Sequence, residues 1–202
     1  MTRAIVLAAV LAVSACGPLV QIGGGGKQPD SLFVLRALPP PPASAAVAVA
    51  PRQTVLIEQP GVVGTIQTLR IPVIEADTRV GYLVGANWAE QPSKQFQRLL
   101  IDTMSARPGV IALGATQIDG RADRRLSGTL VEFGLDMRDA SHPQVRLRFD
   151  AVLTGPDRAL IGVRRFEVTR PVASDEPEVV ADGLNLAANA MAGEVAGWVT
   201  PG

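Results

Sequence analysis

From residue 126 to residue 169 apolar and polar side chains trade places almost one by one, and no other feature narrows the possible folds as much. In Leu126 to Arg138, Val131, Phe133, Leu135 and Met137 fall on one face, with Glu132, Asp136 and Arg138 on the other. Gln144 to Thr154 repeats the pattern, with Val145, Leu147, Phe149, Ala151 and Leu153 on the apolar side. A period of two is the signature of a strand with one buried face and one wet face. Gly155-Pro156-Asp157 has turn chemistry and leads into a third strand, Ala159 to Thr169. There the apolar face changes parity, from Ile161 and Val163 to Phe166 and Val168, which predicts a bulge at Arg164-Arg165. The three segments read as an antiparallel meander.

The remaining elements assemble around this meander. Ser31 to Leu38, Thr54 to Glu58, Thr68 to Ile74, Arg79 to Val84 and Val110 to Gly114 read as further strands, and Pro72 puts the third of these on an edge or at a bulge. After Asn87-Trp88-Ala89-Glu90-Gln91-Pro92, the residues Phe96, Leu99, Leu100, Thr103 and Met104 recur at helical spacing. A second apolar stripe runs through Val180, Leu184, Ala187, Met191, Val195 and Trp198, behind an acidic, proline-containing start at Asp175-Glu176-Pro177-Glu178. Its last members are expected to pack on the sheet. The fold class is therefore α+β: a two-layer domain, with a mixed, mostly antiparallel sheet and two amphipathic helices packed on one face. At 202 residues and 4% aromatic side chains, one domain with an aliphatic core is expected.

The N-terminus reads as an address. Arg3 precedes an uncharged, mostly apolar run from Ala4 to Ala15, too short for the ~18 or more residues of a spanning helix. Val13-Ser14-Ala15-Cys16 resembles a bacterial lipobox, in which the cysteine is acylated and the chain is cut just before it. The expected division is a signal peptide at 1–15, a lipidated flexible tether at 16–30 and a single domain at 31–202. Acyl chains contribute ~0.8 kcal/mol per buried methylene, and two or more make an anchor stable. Gly17 follows the cysteine, and the sorting rule of enteric bacteria then implies the outer membrane. Four glycines at 23–26 suit a tether, and Pro39-Pro40-Pro41-Pro42 with Ala43 to Arg52 suits a stiff surface spacer.

Chemistry is sparse. A formal charge of zero lacks the basic footprint of nucleic-acid binding, and one Cys with one His precludes a multi-cysteine zinc site. His142, in Asp139-Ala140-Ser141-His142-Pro143, has Asp and Ser beside it, but every position there also suits a hairpin loop. Arg121, Arg124 and Arg125 mix with Asp119 and Asp123 in a segment that reads as a solvated loop rather than a phosphate site. Trp88 suits packing at the start of its helix better than a partner anchor. No catalytic, cofactor or metal residue is assigned; Cys16 is the one site residue, as the acylation point.

The order of these features is that of a known family. A lipobox, Ser31-Leu32-Phe33-Val34-Leu35, Leu69-Arg70-Ile71-Pro72, Asn87-Trp88-Ala89-Glu90-Gln91-Pro92 before an amphipathic helix, a three-strand meander with Arg165-Phe166, and a closing helix follow one another. The whole resembles the ABC-type transport auxiliary lipoprotein family, which includes the lipoprotein of paraquat-inducible lipid-transport systems. The family's Trp-Ala-Glu-Pro is here interrupted by Gln91, and its Tyr-Tyr first strand is replaced by Leu32-Phe33. The resemblance implies a non-enzymatic, periplasm-facing lipoprotein of the outer membrane. Its implied partners are an MCE-domain protein and an ABC permease and ATPase, with a homo-oligomer also open, and its implied role is adaptor or scaffold in lipid transport. The alternative is a lipoprotein that carries lipid or another small molecule itself, which requires an apolar pocket of roughly 300–1,000 Å³.

Overall fold

A computed structural model describes residues 31–39, 52–115 and 122–200. Cys16, the expected signal peptide and tether, residues 40–51 of the expected spacer and the Asp119 and Arg121 end of the charged segment lie outside those residues. Nine strands and two helices follow in order: β1 (Ser31–Phe33), β2 (Gln53–Ile57), β3 (Gly61–Val62), β4 (Arg70–Ala76), β5 (Arg79–Trp88), α1 (Pro92–Ser105), β6 (Val110–Gly114), β7 (Arg124–Asp136), β8 (Gln144–Thr154), β9 (Leu160–Pro171) and α2 (Pro177–Val199). Two 3₁₀ turns intervene, at Gly64–Ile66 and Pro156–Arg158.

The meander is present, and β7 organises everything else. One edge of β7 pairs with β8 from Arg125↔Thr154 to Asp136↔Gln144, and β8 pairs with β9 beyond it. The other edge receives three strands in turn, all parallel: β2 at Val55↔Arg124, β3 at Gly61↔Thr129 and β4 at Val73↔Leu135. From β4 the sheet continues through β5 to β1, and from β2 to β6, so it forks along β7. The three antiparallel ladders are the long ones, whereas five shorter neighbour pairs are parallel. The expected α+β class holds, with more parallel neighbours than the alternation alone suggests.

Both helices lie over the face carrying Val145, Leu147, Phe149, Ala151 and Leu153, all buried. The stripe Val180, Leu184, Ala187, Met191 and Val195 is fully buried against β7, β8 and β9, and α1 covers β2 and β6. Phe96 of α1 meets Phe149 edge-on, with ring centroids 5.5 Å apart. The C-terminal carbonyls of α2 have arginine donors: Arg124 donates to the Val199 oxygen, and Arg107 Nη2 to the Thr200 oxygen at 3.2 Å. These cations neutralise the negative end of the helix dipole.

Three local expectations need correction, and one alternative is decided. The parity change in β9 has no bulge at Arg164-Arg165, because the β8–β9 register runs unbroken from Gly162 to Pro171 and shifts only at Leu153/Thr154. Val163 therefore remains on the open face, 68% exposed, and Ile161, 52% exposed, is the extra residue between Leu160 and Gly162 where that shift falls. The bulge lies instead in β7, between Leu130 and Glu132, so that Leu126 and Leu130 are buried before it, Phe133 and Leu135 after it, and Val131 is only half-buried. Of the two places open to Pro72, an edge or a bulge, it takes the second, since β4 runs between β5 and β7 and its register with β5 shifts between Arg70 and Pro72. The first strand stops at Phe33. Beyond it, side chains of the helices take over the pairing: Gln95 Oε1 accepts from the Leu35 amide at 2.7 Å, Asn185 Oδ1 from Arg36 at 2.9 Å and Asn189 Oδ1 from Leu38 at 2.8 Å.

Candidate functional site

The helix side of the sheet is core, so functional chemistry must lie on its open face, its edges or its loops. His142 is 82% exposed in the β7–β8 loop, with its Nδ1 2.8 Å from Asp139 Oδ2 and 3.0 Å from Ser141 Oγ. In a nucleophile relay the acid and the hydroxyl occupy opposite ring nitrogens. Here both converge on Nδ1, so no proton path runs from serine through imidazole to aspartate. Asp139 also accepts from the Ser141 amide at 3.0 Å, which closes an Asx turn. The Ser141 hydroxyl, followed by the His142 ring and the Ser141 amide, pulls the Asp139 carboxyl down to about 2. The cluster seals a loop.

On the open face, charges alternate across strands β7 to β9. Asp136 points away from the helices yet is 3% exposed, because Arg138 and Arg146 cover it. Arg138 binds it bidentately, Nε to Oδ1 at 3.0 Å and Nη2 to Oδ2 at 2.7 Å, and reaches Asp77 at 3.2 Å. That guanidinium holds the Asp136 carboxyl well below the usual carboxylate range, against the opposing effect of burial. The chain continues from Arg146 to Glu132 at 3.3 Å, Arg148 to Glu132 at 3.6 Å and Arg165 to Asp150 at 2.8 Å. Each arginine in it already has a carboxylate, which leaves none free for an anionic ligand. The remainder of the predicted charged loop is structural as well. Asp123 Oδ2 accepts from the Thr54 amide at 2.7 Å, and Arg125 pairs with Glu58 at 2.7 Å.

Trp88 is in the core, fully buried, its ring 5.4 Å from that of Phe133. The motif around it builds the start of α1. Pro92 occupies the first turn, Gln95 Nε2 donates to the Glu90 carbonyl at 2.7 Å, and Glu90 pairs with Arg98 on the next turn. A groove of about 380 Å³ opens where the N-terminus of α2 meets the sheet, with Val73, Leu83, Leu135 and Met137 inside and Glu75, Asp175 and Glu176 among its lining. Among the described residues no three His, Cys, Asp or Glu side chains are grouped to hold a metal ion, and no helix is long and apolar enough to cross a membrane.

What sequence reasoning missed is the set of polar helix residues, Gln95, Asn185 and Asn189, that hold the incoming chain at 35–38. Their signal was visible only as amides near otherwise apolar helix faces.

The family model described as the ABC-type transport auxiliary lipoprotein component matches residues 34–196. Among solved structures, protein XCC0632 of Xanthomonas campestris superposes with a TM-score of 0.67 at 20% identity, covering 84% of this chain and 91% of that one. A second crystal structure, of an uncharacterized protein, gives 0.64 at 18% identity over 73% and 92%. At these identities the likeness concerns the fold. No curated protein sequence matches significantly.

Proposed function

This chain belongs to the ABC-type transport auxiliary lipoprotein family, and from that premise we propose that it is a non-enzymatic adaptor of an MCE-linked lipid-transport system, anchored through Cys16 to the periplasmic side of the outer membrane. The family match over nearly the whole folded domain carries this reading. Two physical observations favour an adaptor over an enzyme or a carrier. The His142 cluster is wired as a turn, with both neighbours on one ring nitrogen. The groove of about 380 Å³ is within the ~300–1,000 Å³ range of ligand pockets, but Glu75, Asp175 and Glu176 in its lining do not suit an apolar cargo.

The test is a paired one. Cys16→Ala should release the protein from membranes into the soluble periplasmic fraction, while the tagged wild-type chain should retain MCE and permease subunits on purification. A variant that still pellets with membranes sinks the anchor. Bound lipid on an isolated monomer, without transporter subunits, favours the carrier instead.

A further inference from the structure

Two borders of the sheet expose aliphatic side chains. At β9 these are Leu160, Ile161 and Val163; at β5 and β1 they are Val80 (44%), Val84 (85%) and Leu32 (63%). The second border has more to it. Only Ala86, Asn87 and Trp88 of β5 pair with β1, so among the described residues no strand covers the outer edge of Arg79 to Gly85. Val80 and Tyr82 lie opposite Ile74 and Pro72, and Ile74 is in register with Asp136, which puts them on the face away from the helices. Val84 precedes Gly85, whose positive φ breaks the alternation, and with Tyr82 it borders the groove beside α2. Arg70, across from Asn87, places its guanidinium 4.2 Å above the Tyr82 ring and makes no ion pair among the described residues. Leu69, 40% exposed, is tied alongside by its carbonyl accepting from the Trp88 amide at 2.6 Å. The one carboxylate close by in β4, Glu75, is already taken by Arg79 at 2.7 Å.

Aliphatic side chains around a tyrosine, with an unpaired arginine at the rim, are the composition of a surface that lies in a membrane interface. We propose that the β1/β5 border, formed by Leu32, Val80, Tyr82 and Val84 with Arg70, is the face the domain lays against an anionic phospholipid leaflet.

Chain connectivity chooses this border over the other. The proposal rests on the acylated-Cys16 reading, and fifteen residues lead from Cys16 to Ser31, the first residue of β1. A coil of that length spans on the order of 20 Å root-mean-square. Strand β9 lies five strands away from β1, on the order of 24 Å at ~4.8 Å per strand. Fifteen residues, up to ~50 Å when extended, could reach β9 as well, but β5 is the immediate neighbour of the point where the chain enters and needs no path around the domain. Arg70, without an ion pair among the described residues, supplies the attraction to anionic headgroups.

The experiment couples the mature chain, through its Cys16 thiol, to maleimide-bearing vesicles of phosphatidylethanolamine and phosphatidylglycerol, and follows amide hydrogen exchange. The expected result is exchange slowed about tenfold or more at Arg79 to Gly85 relative to the thiol-capped protein in solution, with Leu160 to Val163 unchanged. Leu32→Asp with Val84→Asp should abolish the slowing without lowering the melting temperature, since both side chains are exposed. Slowing at Leu160 to Val163 instead, or nowhere, overturns the proposal. So does equal slowing on zwitterionic phosphatidylcholine vesicles, or slowing in solution that grows with protein concentration, which would assign the edge to a second copy. Coupling by maleimide makes the result independent of native acylation. That reading fails separately if the protein from its own envelope lacks the diacylglycerol mass on Cys16.

Discussion

Replacing Trp198 by alanine tests whether the end of α2 belongs to the fold or to a partner. The ring stacks edge-on against Phe166 of β9, with centroids 5.7 Å apart, and its Cζ2 lies 3.4 Å from where a Cβ on Gly162 would be. Unlike the other members of its stripe it is only partly buried. A tryptophan side chain buries about 150–250 Å² when enclosed, so roughly two-thirds of that at ~25 cal/mol per Å² gives about 2.5–4 kcal/mol. The aromatic pair adds about 0.5–1.5 kcal/mol, and the cavity contribution is small because the vacated shelf opens to water. A loss of about 3 kcal/mol, the lower end of that sum, in a domain of this size lowers Tm by roughly 6–12 °C. Thermal melts of wild type and Trp198→Ala, followed by circular dichroism, measure it. A shift below about 2 °C, together with lost retention of transporter subunits, would show that Trp198 serves a partner and not the sheet.

Gly134→Ala puts a Cβ 2.4 Å from the Pro72 carbonyl oxygen, a backbone obstacle that cannot rotate away. It should cost about 3 kcal/mol in urea unfolding, while Gly64→Ala, with nothing within 4 Å, serves as the near-neutral control. Asp136→Asn should cost about 1.5–3 kcal/mol by loosening Arg138 and Arg146. Because the folded-state pKa of Asp136 is lowered, its contribution is complete above about pH 4 and is lost as pH falls toward its folded value. Urea midpoints between pH 5 and 3 should therefore decline more steeply for wild type than for the Asn variant. His142→Ala should leave complementation of the transport phenotype intact, and a complete loss with native circular dichroism would reopen the enzyme reading.

The sequence patterns were most reliable where one period ran uninterrupted. Strand β8, five inward residues in strict alternation, and the α2 stripe lie where their periods put them. Patterns failed where two physical reasons share one residue type. Ile161 and Val163 are aliphatic and alternate, so burial was the natural expectation, yet Val163 is on the face that neither helix covers and Ile161 is the extra residue of a register shift, so both stay in water. Val131 has the parity of Phe133 and Leu135, but the extra residue of a bulge is set by how β7 and β8 twist together, which one strand's pattern does not encode. The parallel docking of β2, β3 and β4 on one edge was invisible for a related reason, since pairing partners separated by about sixty residues leave no local trace. For the site, the lipobox resemblance at Cys16 is an expectation that the described residues do not reach, whereas the exposed β1/β5 border depends on a strand ending after three residues.

The fork along β7 also has a consequence for assembly in time. Among the described residues, without 124–136 the β4–β5–β1 group and the β2–β6 group share no backbone ladder, because β7 is the element to which both are hydrogen-bonded. Synthesised from the N-terminus, the chain thus completes two separate groups of strands with unsatisfied edges before the piece that joins them exists. Closure must wait for contacts of long sequence separation, a topology that folds slowly and leaves sticky strands uncovered meanwhile. The interval before β7 docks is therefore when this protein is most exposed to mispairing and most in need of a holding chaperone.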